Sequence, residues 1–246
     1  LCALYVFSKM MEHIQTIHLN EQDLFDEARA LFIRYSGLDL SKEKHQRMME
    51  TACQAREAGL SGIDVRASVS RWDGACLSGG VLSRKGHPLE CRAFSQIADD
   101  AVLCLYAFVV TAGECIASED DPITAQLFAH TWGTAYVDAA RRKLEGIFRD
   151  DIQRSFPDCG LLLSPYYGPG FYGMPMTENQ RLCGWLNADA IGVTTKENGL
   201  MLPLKSCSGL YMALADSTAI PPESCEACIG NAKGCAYCRN RKEERE

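Results

Sequence analysis

Apolar residues recur along this chain in two rhythms, and those rhythms predict most of its elements. Between His13 and Leu19, apolar Ile14, Ile17 and Leu19 interleave with His13, Gln15 and His18, which predicts an edge or half-buried strand. From Glu21 to Tyr35 the apolar positions Leu24, Phe25, Ala28, Leu31, Phe32 and Tyr35 return every three or four residues. A helix is expected there, capped by Asn20 and ended at Gly37. A second, polar helix is expected after an N-cap at Ser41, reaching about Ala58 and closed by Gly59. Alternation returns at Ile63, Val65 and Val69, and Trp72-Asp73-Gly74 reads as the turn that follows.

Farther along, the near-continuous apolar run from Ala101 to Thr111 predicts a strand buried on both faces. Asp120-Asp121-Pro122 puts acids and a proline at the start of a long helix, expected to reach about Phe148. On it, His130 reads as a boundary histidine, and Asp138 and Glu145 as solvent-facing charges. Leu161 to Met176 is a short apolar run that enters a loop rich in Gly, Pro and Tyr. Exposed backbone groups beside flat rings suit a flat heteroaromatic ligand with a polar tail; they equally suit a rigid loop whose tyrosines cover a core. Ile191 to Tyr211 reads as an irregular hairpin, with a turn at Asn198-Gly199 and Pro203 inside its second strand. Strands and long helices mix without a regular βαβ alternation, so the fold class is α+β: helices packed on a mostly antiparallel sheet.

Composition narrows the function classes. The 246 residues, 47% hydrophobic and 23% charged, fit one large domain or two small ones and exclude a disordered, collagen-like or coiled-coil chain. A net charge of −7 without a long basic stripe argues against nucleic acid as a partner. No apolar run approaches the roughly 18 residues of a membrane span. Leu1 to Phe7 is apolar but lacks an initiator Met and a basic n-region, so it is read as a truncated or unusual start, not a signal peptide, and a cytoplasmic protein is expected.

The 13 cysteines are an odd number, which argues against a disulfide framework. Cys2, Cys53, Cys76, Cys91, Cys104, Cys115, Cys159, Cys183 and Cys207 are scattered singly and read as reduced core residues. Cys225, Cys228, Cys235 and Cys238 are different: C-x2-C-x6-C-x2-C predicts a four-thiolate metal site, and the spacing leaves Zn and an Fe–S cluster both open. The simplest partition is an α+β domain over residues 1–220 and a Cys-rich metal-binding tail over 221–246.

Two segments then carry a resemblance. Ser164-Pro165-Tyr166-Tyr167-Gly168 is similar to the Ser-Pro-Gly-Tyr-Gly motif of the activation domain of cobalamin-dependent methionine synthase and its stand-alone relatives. Met201-Leu202-Pro203, through Ser206-Cys207-Ser208-Gly209 before Tyr211, is similar to that family's MLP…SVSG motif. Ile191-Gly192-Val193, Val110-Thr111-x-Gly113 and the long helix after Pro122 fall in family order. Several stand-alone relatives also carry a Cys-rich C-terminus. The resemblance spans roughly His13 to Cys238.

The resemblance implies a curved, C-shaped sheet with clustered helices. It implies S-adenosylmethionine cradled by Ser164, Pro165, Tyr166, Tyr167 and Gly168, with Tyr167 and Tyr211 near the nucleotide. The partner would be a corrinoid-binding protein or methyltransferase that presents cobalamin, with a possible reductase as electron source. The implied activity is reactivation of the Co(II) corrinoid by reductive methylation. No catalytic side chain is expected, since Co(I) needs no protein base and the protein's part is to orient the methyl carbon and exclude water. Two departures stand out. Leu162 occupies the place of a family Arg, leaving Arg181 or Lys205 to meet the ligand carboxylate, unless the ligand is different or absent; Tyr166 replaces a Gly. Two other readings remain: an activator that delivers an electron through an Fe–S cluster at Cys225 to Cys238, and a non-catalytic corrinoid-docking module with structural Zn.

Overall fold

The computed structural model describes residues 13–115, 117, 120–157 and 159–215. The four-cysteine segment, the tail and its boundary at residue 220 therefore lie outside the described residues. Strand β1 (Gln15–His18) leads into α1 (Glu21–Tyr35), where the Asn20 side chain accepts from the Gln22 N–H at 3.0 Å as expected of a cap. Helix α2 (Glu43–Ala58) lacks the expected cap. The Ser41 N–H and hydroxyl both donate to Asp39 Oδ1, so Lys42 takes the cap position with no side-chain bond.

Strand β2 (Ile63–Asp73) continues through the expected turn at Trp72. That ring is fully buried, edge-on to Trp185 at 5.6 Å, and this packing keeps the chain extended to Asp73. The small strands β3 (Leu77–Ser78), β4 (Val81–Arg84) and β5 (His87–Leu89) follow and form an antiparallel sheet of their own. Strand β6 (Val102–Gly113) fulfils the apolar run, buried along nearly its whole length.

Helix α3 (Ile123–Ser155) starts after Pro122 and passes Phe148 by about two turns. The extension is held because Ile152 is buried and Asp151 accepts from Arg71 and from the Tyr106 hydroxyl. Then come β7 (Leu162–Leu163), α4 (Glu178–Trp185), β8 (Thr194–Thr195), β9 (Met201–Leu202) and β10 (Ser206–Leu214). The expected hairpin reduces to the two-residue pair β8–β9. Pro203 offers no N–H to continue it, and β10 leaves to pair with β6 instead.

The main sheet has the order β1-β2-β6-β10-β7, antiparallel at every step. Its first face is covered by α1, α2 and α3, and its second by α4, the small sheet and short 3-10 turns. Phe32 of α1 stacks on Trp132 of α3 with ring centroids 4.4 Å apart, and Trp132 Nε1 donates to the Ala52 carbonyl of α2 at 2.8 Å. These rings are fully buried. Removing each from water contributes roughly 1.5–3 kcal/mol, which is how the helical layer is fastened. Among the described residues no helix is long and apolar enough to cross a membrane.

Candidate functional site

The Gly-Tyr segment runs antiparallel beside β10. The Ser164 N–H donates to the Met212 carbonyl at 2.8 Å, Ser164 Oγ accepts from the Met212 N–H at 2.9 Å, and Tyr167 exchanges both backbone bonds with Leu210. Sequence reasoning gave these backbone groups to a ligand. The sheet uses those of Ser164 and Tyr167, because an edge beside β10 satisfies buried N–H and C=O groups directly. Pro165 is half-buried between them, and Gly168 is buried where the chain turns away.

Extended backbone sends neighbouring side chains to opposite faces, so the two tyrosines part company. Tyr166 turns to the helical face and packs among Phe108, Tyr211 and Phe171, at centroid distances of 5.7, 6.1 and 5.9 Å. Tyr167 turns to the second face, fully buried against Phe94 and Tyr172, and its hydroxyl has no hydrogen-bond partner among the described residues. The structure therefore does not bring Tyr167 to Tyr211; the sheet lies between them, and Tyr166 is the neighbour of Tyr211.

Tyr166 fills a defined space. Its hydroxyl donates to the Ser208 carbonyl at 2.8 Å. A methyl group placed on Gly168 would collide with its hydroxyl and ring, and one placed on Gly209 would collide with its ring edge. Above the ring lies Arg141 of α3, its guanidinium carbon 5.1 Å from the centroid. Arg141 also donates to the Tyr211 hydroxyl at 2.8 Å and sits 3.8 Å from Asp138 and 4.0 Å from Glu145. Asp138 in turn accepts from the Tyr35 hydroxyl at 2.5 Å.

Asp138 and Glu145 are thus not the solvent-facing charges that the sequence suggested. They and Arg141, the residue that sequence reasoning missed, lie at i, i+3 and i+7 on one helical face turned toward β10. That spacing, on a helix whose apolar residues already face the sheet, was the available signal.

The cations proposed for a ligand carboxylate are elsewhere engaged. Arg181 pairs with Glu178, a carboxylate only 2% exposed. Lys205 Nζ lies 3.1 Å from the ring nitrogens of His130 and donates to Thr134 at 2.9 Å. Leu162 is exposed on β7 and brings no charge.

Burial sets the protonation states. It pushes the Tyr211 phenol up to about 12 and the Cys207 thiol up to about 12, and it raises Tyr166 well above an ordinary phenol. Burial acts against the charged form of Arg141, but the Tyr211 oxygen and Asp138 outweigh it and keep the guanidinium protonated. At neutral pH the cluster is one cation with its carboxylates, neutral phenols and a neutral thiol. Such an arrangement binds and orients. Among the described residues no group of His, Cys, Asp and Glu is placed to hold a metal ion.

No family model matches this chain, and no curated protein matches it in sequence. Among solved structures it is similar to the MetH reactivation domain bound to AdoHcy, at a TM-score of 0.63 and 17% identity, over 83% of this chain and 79% of that one. The likeness establishes the fold: helices on a mostly antiparallel sheet, as in that reactivation domain.

Proposed function

We propose that this chain is an activation protein for a corrinoid-dependent methyltransferase, one that docks on the corrinoid-binding partner and supports return of its cobalt from the Co(II) state. The observation that carries this reading is the reactivation-domain fold, with the Ser164–Gly168 segment running beside β10 and Tyr211 on the adjacent strand. The cluster's chemistry supports a role in binding and water exclusion, since burial holds its phenols and thiol neutral and none of them is a base at neutral pH.

Reductive methylation with S-adenosylmethionine is the finer form of this reading, and the residues as placed do not fit that ligand. The ring of Tyr166 already lies over Gly168 and Gly209, Leu162 offers no cation, Arg141 is paired with Asp138 and Glu145, and Arg181 and Lys205 are engaged with Glu178 and with His130 and Thr134. The activation role is accordingly read here without a methyl donor at this loop.

The C-x2-C-x6-C-x2-C spacing supports a metal site at Cys225, Cys228, Cys235 and Cys238 and leaves its occupant open: an Fe–S cluster would pass the electron, whereas Zn would make the tail structural. Anaerobic purification with iron, sulfide and zinc analysis separates the two.

The activation reading is tested by mixing the full chain with the cobalamin-binding module of methionine synthase, loaded with Co(II) cobalamin. Co-sedimentation with a change in the Co(II) absorption spectrum is the expected result. Absence of both refutes docking.

A further inference from the structure

We propose that Tyr166 is the intramolecular occupant of the cradle made by Gly168, Gly209, Tyr211 and Arg141, and that its ring makes the site refuse a nucleoside ligand which the bare cradle would accept. The inference deepens the reading that the activation role uses no methyl donor at residues 164–168. Two glycines on separate strands of chain face one ring, and a side chain on either would collide with it. Bare backbone below, aromatic walls at Phe108 and Tyr211, a carbonyl acceptor at Ser208 and a cation above are the parts of a ligand site. Here a residue of the chain itself makes every one of those contacts.

The contacts define the ligand class that the ring excludes. Whatever replaces the phenol must be flat, must donate a hydrogen bond to the Ser208 carbonyl, and must stack under the Arg141 guanidinium, whose charge Asp138 and Glu145 already balance. A heteroaromatic ring with an exocyclic amine supplies both the flat face and the donor. Phe171, 52% exposed and edge-on to Tyr166, marks the side on which the slot meets solvent. A tethered ring competes at high effective concentration, so ligand affinity falls by the fraction of time the cradle stands open.

The test is calorimetric titration of the full-length chain and of Tyr166→Gly with S-adenosylhomocysteine and with adenosine, which share the flat ring and its exocyclic amine. The expected result is no heat from the wild type at millimolar ligand, and binding by Tyr166→Gly at least about tenfold tighter. Wild-type binding as tight as the variant's overturns the proposal, as does a folded variant that binds neither probe. If Tyr166→Gly loses its cooperative unfolding transition, Tyr166→Ala takes its place under the same criteria. Association with the Co(II) cobalamin module is scored separately: its loss counts against the activation reading, whereas the titration alone decides this one.

Discussion

Arg141 of α3 donates to the Tyr211 hydroxyl of β10 at 2.8 Å, so helix and sheet share a charged contact within the layer that packs them together. The Arg141 side chain is 17% exposed and lies among Asp138, Glu145 and the Tyr166 ring. Arg141→Met keeps much of the packing and removes the charge. It should cost roughly 1–3 kcal/mol, because the Tyr211 oxygen loses its donor and Asp138 loses its ion pair. Urea denaturation reads the loss. A second readout isolates the charge: the cation lowers the Tyr211 ionisation that burial raises, so the variant's Tyr211 should titrate above its value of about 12.

Trp132 fastens three helices at once by stacking on Phe32 and donating to the Ala52 carbonyl. Trp132→Phe retains a ring for the stack and removes the donor. The Ala52 carbonyl lies inside α2 and keeps its helical N–H, so loss of the second donor costs roughly 0.5–1.5 kcal/mol. The urea midpoint should fall with little change in slope; an unchanged midpoint would show that the Ala52 carbonyl finds another donor.

Stability should decline on the alkaline side. Burial pushes the Cys104, Cys183 and Cys207 thiols up to about 12 and Cys91 up to about 11, from an ordinary value of 9.0, and Tyr211 up to about 12 from 10.0. As pH rises the unfolded chain therefore releases these protons first and binds fewer of them than the folded chain. Their contribution is fully present below about pH 9 and is lost progressively towards about pH 12. Denaturation midpoints collected across that window check the slope, and a flat profile contradicts it.

The same burial predicts an order of thiol reactivity. Cys159 is exposed, whereas Cys91, Cys104 and Cys183 are buried and Cys207 is held protonated. Brief alkylation of the folded chain at neutral pH should label Cys159 well before those four, since the thiolate is the reacting form. Peptide mass spectrometry gives the order. Early labelling of Cys104, in the middle strand of the sheet, would contradict the packing described.

Elements long enough to repeat their pattern were legible in the sequence. Helix α1 matches its expected span from Glu21 to Tyr35, and β6 and α3 lie where an apolar run and an acid-acid-proline start placed them. Strands β3 to β5 escaped because two to four residues make no rhythm. Helix α4 escaped because buried Glu178 and Asn179 interrupt its apolar face; their partners, Arg181, Gly199 and Ser208, stand partly in distant segments. The site divides the same way. Tyr166 and Tyr211 were singled out by local composition and motif, but Asp138 and Glu145 were assigned to solvent because the Tyr35 and Tyr211 hydroxyls that meet them come from other parts of the chain.

Tyr166 and Tyr167, adjacent in sequence, serve two different cores, and this has a consequence for errors of assembly. A slip of one residue along the β10 edge exchanges the faces of every side chain, yet at this pair it returns a tyrosine to each face. Only one of the two ring positions is refilled by a ring, so the pair distinguishes the correct pairing from its neighbour at the other position alone. Discrimination falls further to Ser164, which bonds the Met212 N–H through its hydroxyl, and to Gly168, where a side chain would collide with the Tyr166 ring. These two small residues act as the edge's proofreaders, and Ser164→Ala should populate the slipped pairing during refolding.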